Sequence, residues 1–196
     1  MTANGDFRTF IDDYYRRFAE TLEAFDRNDL VGVLDIFEAV AESGGTLWVA
    51  GNGGSASISD HLVCDTSKGT HKDGVPPIRS ISLASNNAMI TALGNDVGYD
   101  EIFSRQLKYY LQDGDALLVI SSSGNSPNVV AACEFAKERG IPTVAFVDLK
   151  GGKLQEIADH CVWVPAENYG MAEDTHQSLM HCLTQFIALK RDARRA

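Results

Sequence analysis

The chain is short of positive charge, with 17 Lys and Arg against 27 Asp and Glu in 196 residues and a formal net charge of -10. Neutralising a phosphate backbone takes clustered cations, so nucleic acid is excluded as a broad partner and any anionic ligand must be caught locally. No apolar run approaches the ~20 residues that span a bilayer, and MTANGDFRTFIDDYY at the N-terminus carries no basic segment followed by an apolar one. The expectation is a cytoplasmic protein with no membrane partner. Cys64, Cys133, Cys161 and Cys182 form no CxxC pair and read as buried thiols. No linker or low-complexity stretch divides the chain, which reads as one domain over 1–196. Its length lets it bury roughly 70% of its unfolded surface without disulfide or metal staples.

Nucleotide signatures are also missing. GxxxxGK[ST] is absent, and GxSxG is not met around Ser55 or Ser123. Gly51-Asn52-Gly53 opens like a dinucleotide fingerprint, but Ala56 stands where a third glycine belongs. The apolar run 78–83 does not end in the acidic residue that would hold a ribose. No nucleotide cofactor is expected.

What is present is alternation. Phe7, Phe10, Ile11, Tyr14, Phe18, Leu22 and Phe25 recur at helical steps, and a second helical pattern runs from Leu30 to Val40 before Ser43-Gly44-Gly45. Five short apolar runs follow, at 47–50, 78–83, 116–120, 143–147 and 161–164. Helical patterns at 55–67, 86–93, 101–111, 127–139 and 171–191 lie between and after them. The fold class expected is α/β: an open parallel sheet of about five strands with helices on both faces, flavodoxin-like and three-layered, preceded by two N-terminal helices. The segment 1–44 is the expected oligomerisation element.

Two strand, small-polar loop, helix units echo one another, one at 46–55 and one at 116–126. Their loops must lie beyond the carboxyl ends of strands, where open α/β sheets bind ligands. Ser121, Ser122, Ser123 and Ser126 bring four hydroxyls, and Pro127 sits at a first helical position, so amides and a helix dipole face the loop. Such a site can solvate a phosphate without Lys or Arg. A plain N-cap needs only one hydroxyl, which favours the phosphate reading. Gly51 to Ser55 can equally serve tight strand-to-helix packing or close approach to a polyol, with Asn52 as the side-chain contact.

His61 and Asp65 share a helix face at a four-residue step, and Glu173, His176, Gln177 and His181 recur along the last helix. Imidazoles and carboxylates of this kind suit Zn²⁺ or another divalent ion. Glu173 and His181 are eight residues apart, roughly 12 Å along the axis, so both reach one ion only by bending toward each other or across subunits. His176 can simply pack or orient a neighbour. His71 and His160 read as solvated.

GNGGSASISDH at 51–61, GND at 94–96, SSSGNS at 121–126, GGKL at 151–154 and H-x4-H at 176–181 together resemble the phosphoheptose isomerases of the SIS (sugar isomerase) family, over nearly the whole chain. The resemblance implies a homotetramer with sites between subunits, converting sedoheptulose 7-phosphate to D-glycero-D-manno-heptose 7-phosphate. It implies substrate contacts from Asn52, Gly53, Gly54, Ser55, Asn95, Asp96, Ser121, Ser122, Ser123 and Ser126, with Asp65 and Glu173 also at the sugar. It places one Zn²⁺ per subunit on His61, Asp65, Glu173 and His181.

Asp65 stands where Glu is usual in that family, Glu173 where Gln is usual, and Gly69 where a basic residue is usual. The chemistry implied is a proton shuttle between C1 and C2 through a cis-enediol, with Asp65 as base, Glu173 as alternative base and His181 as acid. Competing expectations are a non-catalytic SIS protein that binds a sugar phosphate or a replication initiator, and an isomerase of another sugar phosphate. The presence of His61, Asp65 and His181 favours an enzyme. A sugar-responsive regulator is disfavoured, because no helix-turn-helix precedes the SIS region.

Overall fold

The five apolar runs become the five strands of one parallel sheet. The computed structural model describes residues 6–148 and 150–193. Strands β1 (Thr46–Gly51), β2 (Arg79–Ser82), β3 (Ala116–Ser121), β4 (Thr143–Asp148) and β5 (His160–Val164) are ordered β2-β1-β3-β4-β5. β1, β3 and β4 are buried along their whole length, as continuous apolar strands covered on both faces must be. β2 and β5 form the edges and keep exposed positions. Because β1 neighbours both β2 and β3, the chain leaves it in opposite directions, and the loops after β1 and β3 part to open a crevice.

Strand alternation sorts the core into two layers. Leu118, Ile120, Val144 and Phe146 face α2 (Arg27–Ser43), α3 (Gly54–Cys64) and α8 (Tyr169–Ala193) through Val33, Phe37, Ile58, Leu62, Leu179 and Leu183. Leu117, Val119, Ala145 and Val147 face the other way. They meet Leu93 of α4 (Asn87–Asp96), Phe103 and Leu107 of α5 (Ile102–Tyr110), Val129 and Cys133 of α6 (Pro127–Glu138) and Leu154 of α7 (Gly152–Ile157). α1 (Phe7–Ala24) lies outside this sandwich and leaves Phe7, Phe10 and Tyr15 exposed.

At the N-terminal end of the sheet Asp115 accepts from Thr46 N at 2.7 Å, Trp48 Nε1 at 2.8 Å and Gln112 N at 2.9 Å. One buried carboxylate thereby ties β1 to β3 and leaves the opposite end of the sheet for ligand. No helix among the described residues is long and apolar enough to cross a membrane.

Three local features differ from expectation. Of the four cysteines only Cys133 is buried, Cys161 is half-buried, and Cys64 and Cys182 are exposed. Each of the exposed two falls on the outward side of its helix, two residues past a buried position, Leu62 for Cys64 and Met180 for Cys182. The helix expected to run to Ser67 ends at Cys64 and continues as a π-helical turn, Asp65–Gly69. The six-residue α7 follows Gly151, whose φ of 75° turns the chain out of β4.

Candidate active site

The loops after β1 and β3 wall a cavity of about 250 Å³, lined by Asn52, Gly53, Gly54, Ser55, Ser121, Ser122, Ser123, Ser126, Tyr169 and Glu173. Among the described residues, no Lys, Arg or His lines it. The N-termini of α3 and α6 both begin at these loops, so their free amides supply the positive end of two helices. Ser126 precedes Pro127 and makes no side-chain cap bond, which leaves its hydroxyl available. The serine loop is braced from the side. Asn125 Nδ2 donates to the Ser123 carbonyl, Lys153 N donates to Asn125 Oδ1, and a Cβ on Gly124, at φ 63°, would collide with the Gly151 carbonyl.

Not every predicted hydroxyl faces the cavity. Ser122 lines it, but its Oγ is buried beneath the loop without a hydrogen-bond partner. The Ser123 hydroxyl accepts from Asn125 N at 3.2 Å. The Asn52 amide is held by Asn128 and by the Tyr99 hydroxyl at 3.1 Å. Asn95 and Asp96 lie outside the cavity lining, at the exposed C-terminal end of α4, where Asn95 Nδ2 donates to Asp96 Oδ1 at 2.7 Å. Asn128 and Tyr99 were missed from the sequence. Asn128 occupies the second position of α6, where a polar residue reads as an ordinary cap.

A second group of side chains lies further along α3 and α8. His61 Nε2 is 3.6 Å from Asp65 Oδ1, and His181 Nε2 is 3.6 Å from Asp65 Oδ2. The imidazole rings stand 5.1 Å apart at 77°. One ligand atom from each of the three residues lies within 4.8 Å of the others, a spacing that suits one divalent ion. Two imidazoles and one carboxylate are a donor set of the kind that catalytic zinc sites use. Gln177 Nε2 approaches both rings, 2.7 Å from His61 Nδ1 and 3.1 Å from His181 Nε2, and so sets the orientation of both imidazoles. The π-helical turn begins at Asp65, and such turns are frequent at functional sites.

The structure thus joins three of the four expected metal residues. The fourth, Glu173, lines the serine cavity, with its carboxylate so close over Gly54 that a Cβ there would collide with it. Gly54 faces Glu173 while His61 and Asp65 face His181, so α3 and α8 run side by side in the same direction. The serine cavity and the His/Asp cluster are then separated by about 10–12 Å, the rise over seven to eight residues.

His176 is wholly buried against the Phe146 ring, with Nε2 3.4 Å from Oδ2 of the equally buried Asp148. Burial pushes the Asp148 carboxyl up to about 7, reinforced by the negative Glu173 and opposed by the Ser122 hydroxyl. Burial pulls His176 down to about 4.

The SIS domain family profile matches residues 13–148. The chain is 33% identical over 178 residues to the phosphoheptose isomerase of Akkermansia muciniphila, covering 82% of this chain and 94% of that protein. The solved phosphoheptose isomerase of Neisseria gonorrhoeae superposes with a TM-score of 0.85 at 25% identity, over 93% of this chain and 98% of that one. That of Francisella tularensis superposes with a TM-score of 0.84 at 28% identity, over 96% and 100%. The fold, the order of motifs and these similarities agree: the chain belongs to the SIS domain family, among the phosphoheptose isomerases, and is an enzyme of the aldose–ketose isomerase class.

Proposed function

We propose that the chain interconverts sedoheptulose 7-phosphate and D-glycero-D-manno-heptose 7-phosphate. The observation that carries this reading is the separation of the two centres along α3 and α8. In a 7-phosphate the reacting C1 and C2 lie at the far end of the sugar from the phosphate. A cavity of hydroxyls, amides and helix N-termini, with no cation among its described lining residues, receives the phosphate, and the His/Asp cluster receives the carbonyl end. Asn52, Gly53, Gly54, Ser55, Ser121, Ser122, Ser123 and Ser126 form the phosphate and polyol side. Asn95 and Asp96 approach only if α4 or a second subunit moves toward the sugar.

Asp65 takes the proton from C1 of the ketose while His181 donates to the C2 carbonyl oxygen, giving the cis-enediol. His181 then recovers a proton from the C1 hydroxyl as Asp65 returns its proton to C2, so no proton is lost. Glu173 is the alternative base. His61, Asp65 and His181, with Glu173 reaching from the cavity side, would hold a Zn²⁺ ion, which when bound supplies Lewis-acid polarisation of the carbonyl.

The working form in this reading is a cytoplasmic homotetramer assembled through 1–44. In support, Phe7, Phe10, Tyr15 and Val31 are exposed, and an apolar groove of about 340 Å³ runs between Phe25, Leu30, Val31, Leu34, Leu183 and Phe186. A second reading, isomerisation of a different sugar phosphate, is favoured by the Glu173 carboxylate in the lining of the phosphate cavity. Incubation with sedoheptulose 7-phosphate and with shorter ketose phosphates, with and without chelator, tests both when aldose formation is followed by NMR. Conversion of the heptulose alone supports the first reading, and conversion only of a shorter ketose supports the second. Turnover of none removes both.

A further inference from the structure

Six buried side-chain polar atoms lack a hydrogen-bond partner among the described residues, and five of them are Ser122 Oγ, Asp148 Oδ1 and Oδ2, and His176 Nδ1 and Nε2. Buried polar groups are nearly always bonded, so five orphans in one place call for a common explanation. They are neighbours by construction. Ser121 pairs with Val147 across β3 and β4, so the next residues, Ser122 and Asp148, lie side by side. By strand alternation both point to the face of Ile120 and Phe146, which is the face that α8 covers with His176.

We propose that Ser122, Asp148 and His176 form one buried hydrogen-bonded relay holding a single shared proton, which fixes the serine loop against α8 and makes Asp148 and His176 positioning residues for the isomerase site. One placement of hydrogens satisfies all five atoms. Ser122 Oγ–H donates to Asp148 Oδ1, a protonated Asp148 Oδ2–H donates to His176 Nε2 across the observed 3.4 Å, and His176 Nδ1–H donates to the Val147 carbonyl. With the imidazole proton on Nδ1 and given to the Val147 carbonyl, an ionised Asp148 beside a neutral His176 would leave two acceptors facing each other. The directions in which burial moves the two groups agree with a neutral acid and a neutral imidazole. Among the described residues, Glu173 is the charged group whose field bears on Asp148, and it also favours the protonated acid.

The consequence is geometric. His176 lies one turn beyond Glu173 and immediately before Gln177, which touches both His61 and His181. Pinning His176 to the end of β4 sets the rotation and axial position of α8, and Ser122 sets the height of the phosphate loop by the same bonds. Both ends of the substrate are then located from one strand terminus.

Asp148→Asn reproduces both bonds, since its amide donates to Nε2 and its carbonyl accepts from Ser122, whereas Asp148→Leu reproduces neither. Asp148→Asn is expected to keep kcat/KM within about threefold of wild type, and Asp148→Leu and His176→Phe to lower it by about tenfold or more through both KM and kcat. A space-filling role would treat Asn and Leu alike. Infrared difference spectra of wild type against Asp148→Asn at pH 6 should contain the carbonyl band of a buried protonated carboxyl. Its absence, a large loss of activity in Asp148→Asn, or failure of that variant to fold would each overturn the relay. The functional half rests on the isomerase reading. If the wild type turns over no sugar phosphate while the band is present, that reading fails and the relay stands.

Discussion

Asn52 and Asn128 exchange two side-chain hydrogen bonds, Asn52 Nδ2 to Asn128 Oδ1 at 2.8 Å and Asn128 Nδ2 to Asn52 Oδ1 at 2.9 Å. They clamp the glycine loop after β1 to the first turn of α6. Asn128 Oδ1 also accepts from Val129 N at 2.9 Å, so its amide orientation is fixed by the backbone. Asn128 is buried, while Asn52 reaches the cavity wall.

Removing this clamp should loosen ligand binding more than it harms the chemistry. Asn128→Ala leaves Asn52 with the Tyr99 hydroxyl alone and strips three bonds, two part-buried ones to Asn52 and the buried one from Val129 N. The expected cost is about 1–3 kcal/mol of stability and about a tenfold rise in KM with a smaller change in kcat. Steady-state kinetics with a urea titration checks it. An unchanged KM in a destabilised variant would reduce Asn128 to a purely structural residue.

Asp65 and His181 should be indispensable to turnover and dispensable to folding, because both side chains are partly exposed. Asp65→Asn and His181→Gln each preserve shape while removing the proton-transfer group, for an expected loss of about 10²–10⁴ in kcat. Circular dichroism should be unchanged. Near-normal activity in either variant would sink the assignment of base and acid.

Metal binding should depend on His61, Asp65 and His181 and much less on Glu173, which lies over Gly54 in the neighbouring cavity. Titration of chelator-treated protein with Co²⁺, read by visible absorption, should give one ion per chain. His61→Ala is expected to weaken that binding by about 10–100-fold, and Gln177→Ala to weaken it less, since it only orients the imidazoles. If Glu173→Ala weakens it as much as His61→Ala does, the ion is held by all four residues.

Much of this organisation was legible in the chain. Continuous apolar runs such as Ala116 to Ile120 mark strands covered on both faces, and Ser43-Gly44-Gly45 and Ser126-Pro127 mark a helix end and a helix start, so layers, strand direction and the two ligand loops followed from pattern alone. The π-helical turn at Asp65 has no sequence period of its own and was absorbed into the preceding helix. Asp148 and Asn128 carry the look of a turn residue and a cap residue, because a polar side chain at an element's end is ordinarily solvated. Only packing shows that both are buried. Glu173 and His181 share a helix face, but Glu173 lines the serine cavity while His181 lies with His61 and Asp65, a placement that spacing alone left open.

The buried acid should impose a pH dependence on stability whose sign is fixed by the direction of its shift. Asp148 is raised to about 7 in the folded chain, above an unfolded value near 4. Its contribution is therefore fully present below about pH 4 and is lost as pH rises through about 7, a difference on the order of 4 kcal/mol for three units. His176, lowered to about 4 from 6.5, works in the opposite sense. Its contribution is present above pH 6.5 and is lost as pH falls toward 4. Asp148→Asn removes the first effect and keeps His176. Its stability should match that of wild type near pH 4 and exceed it by about 2–4 kcal/mol at pH 8. Urea unfolding at pH 4.5, 6 and 8 measures the gap. A gap that stays constant across that range would mean that Asp148 is ionised in the folded protein at every pH tested, and that burial does not hold its proton.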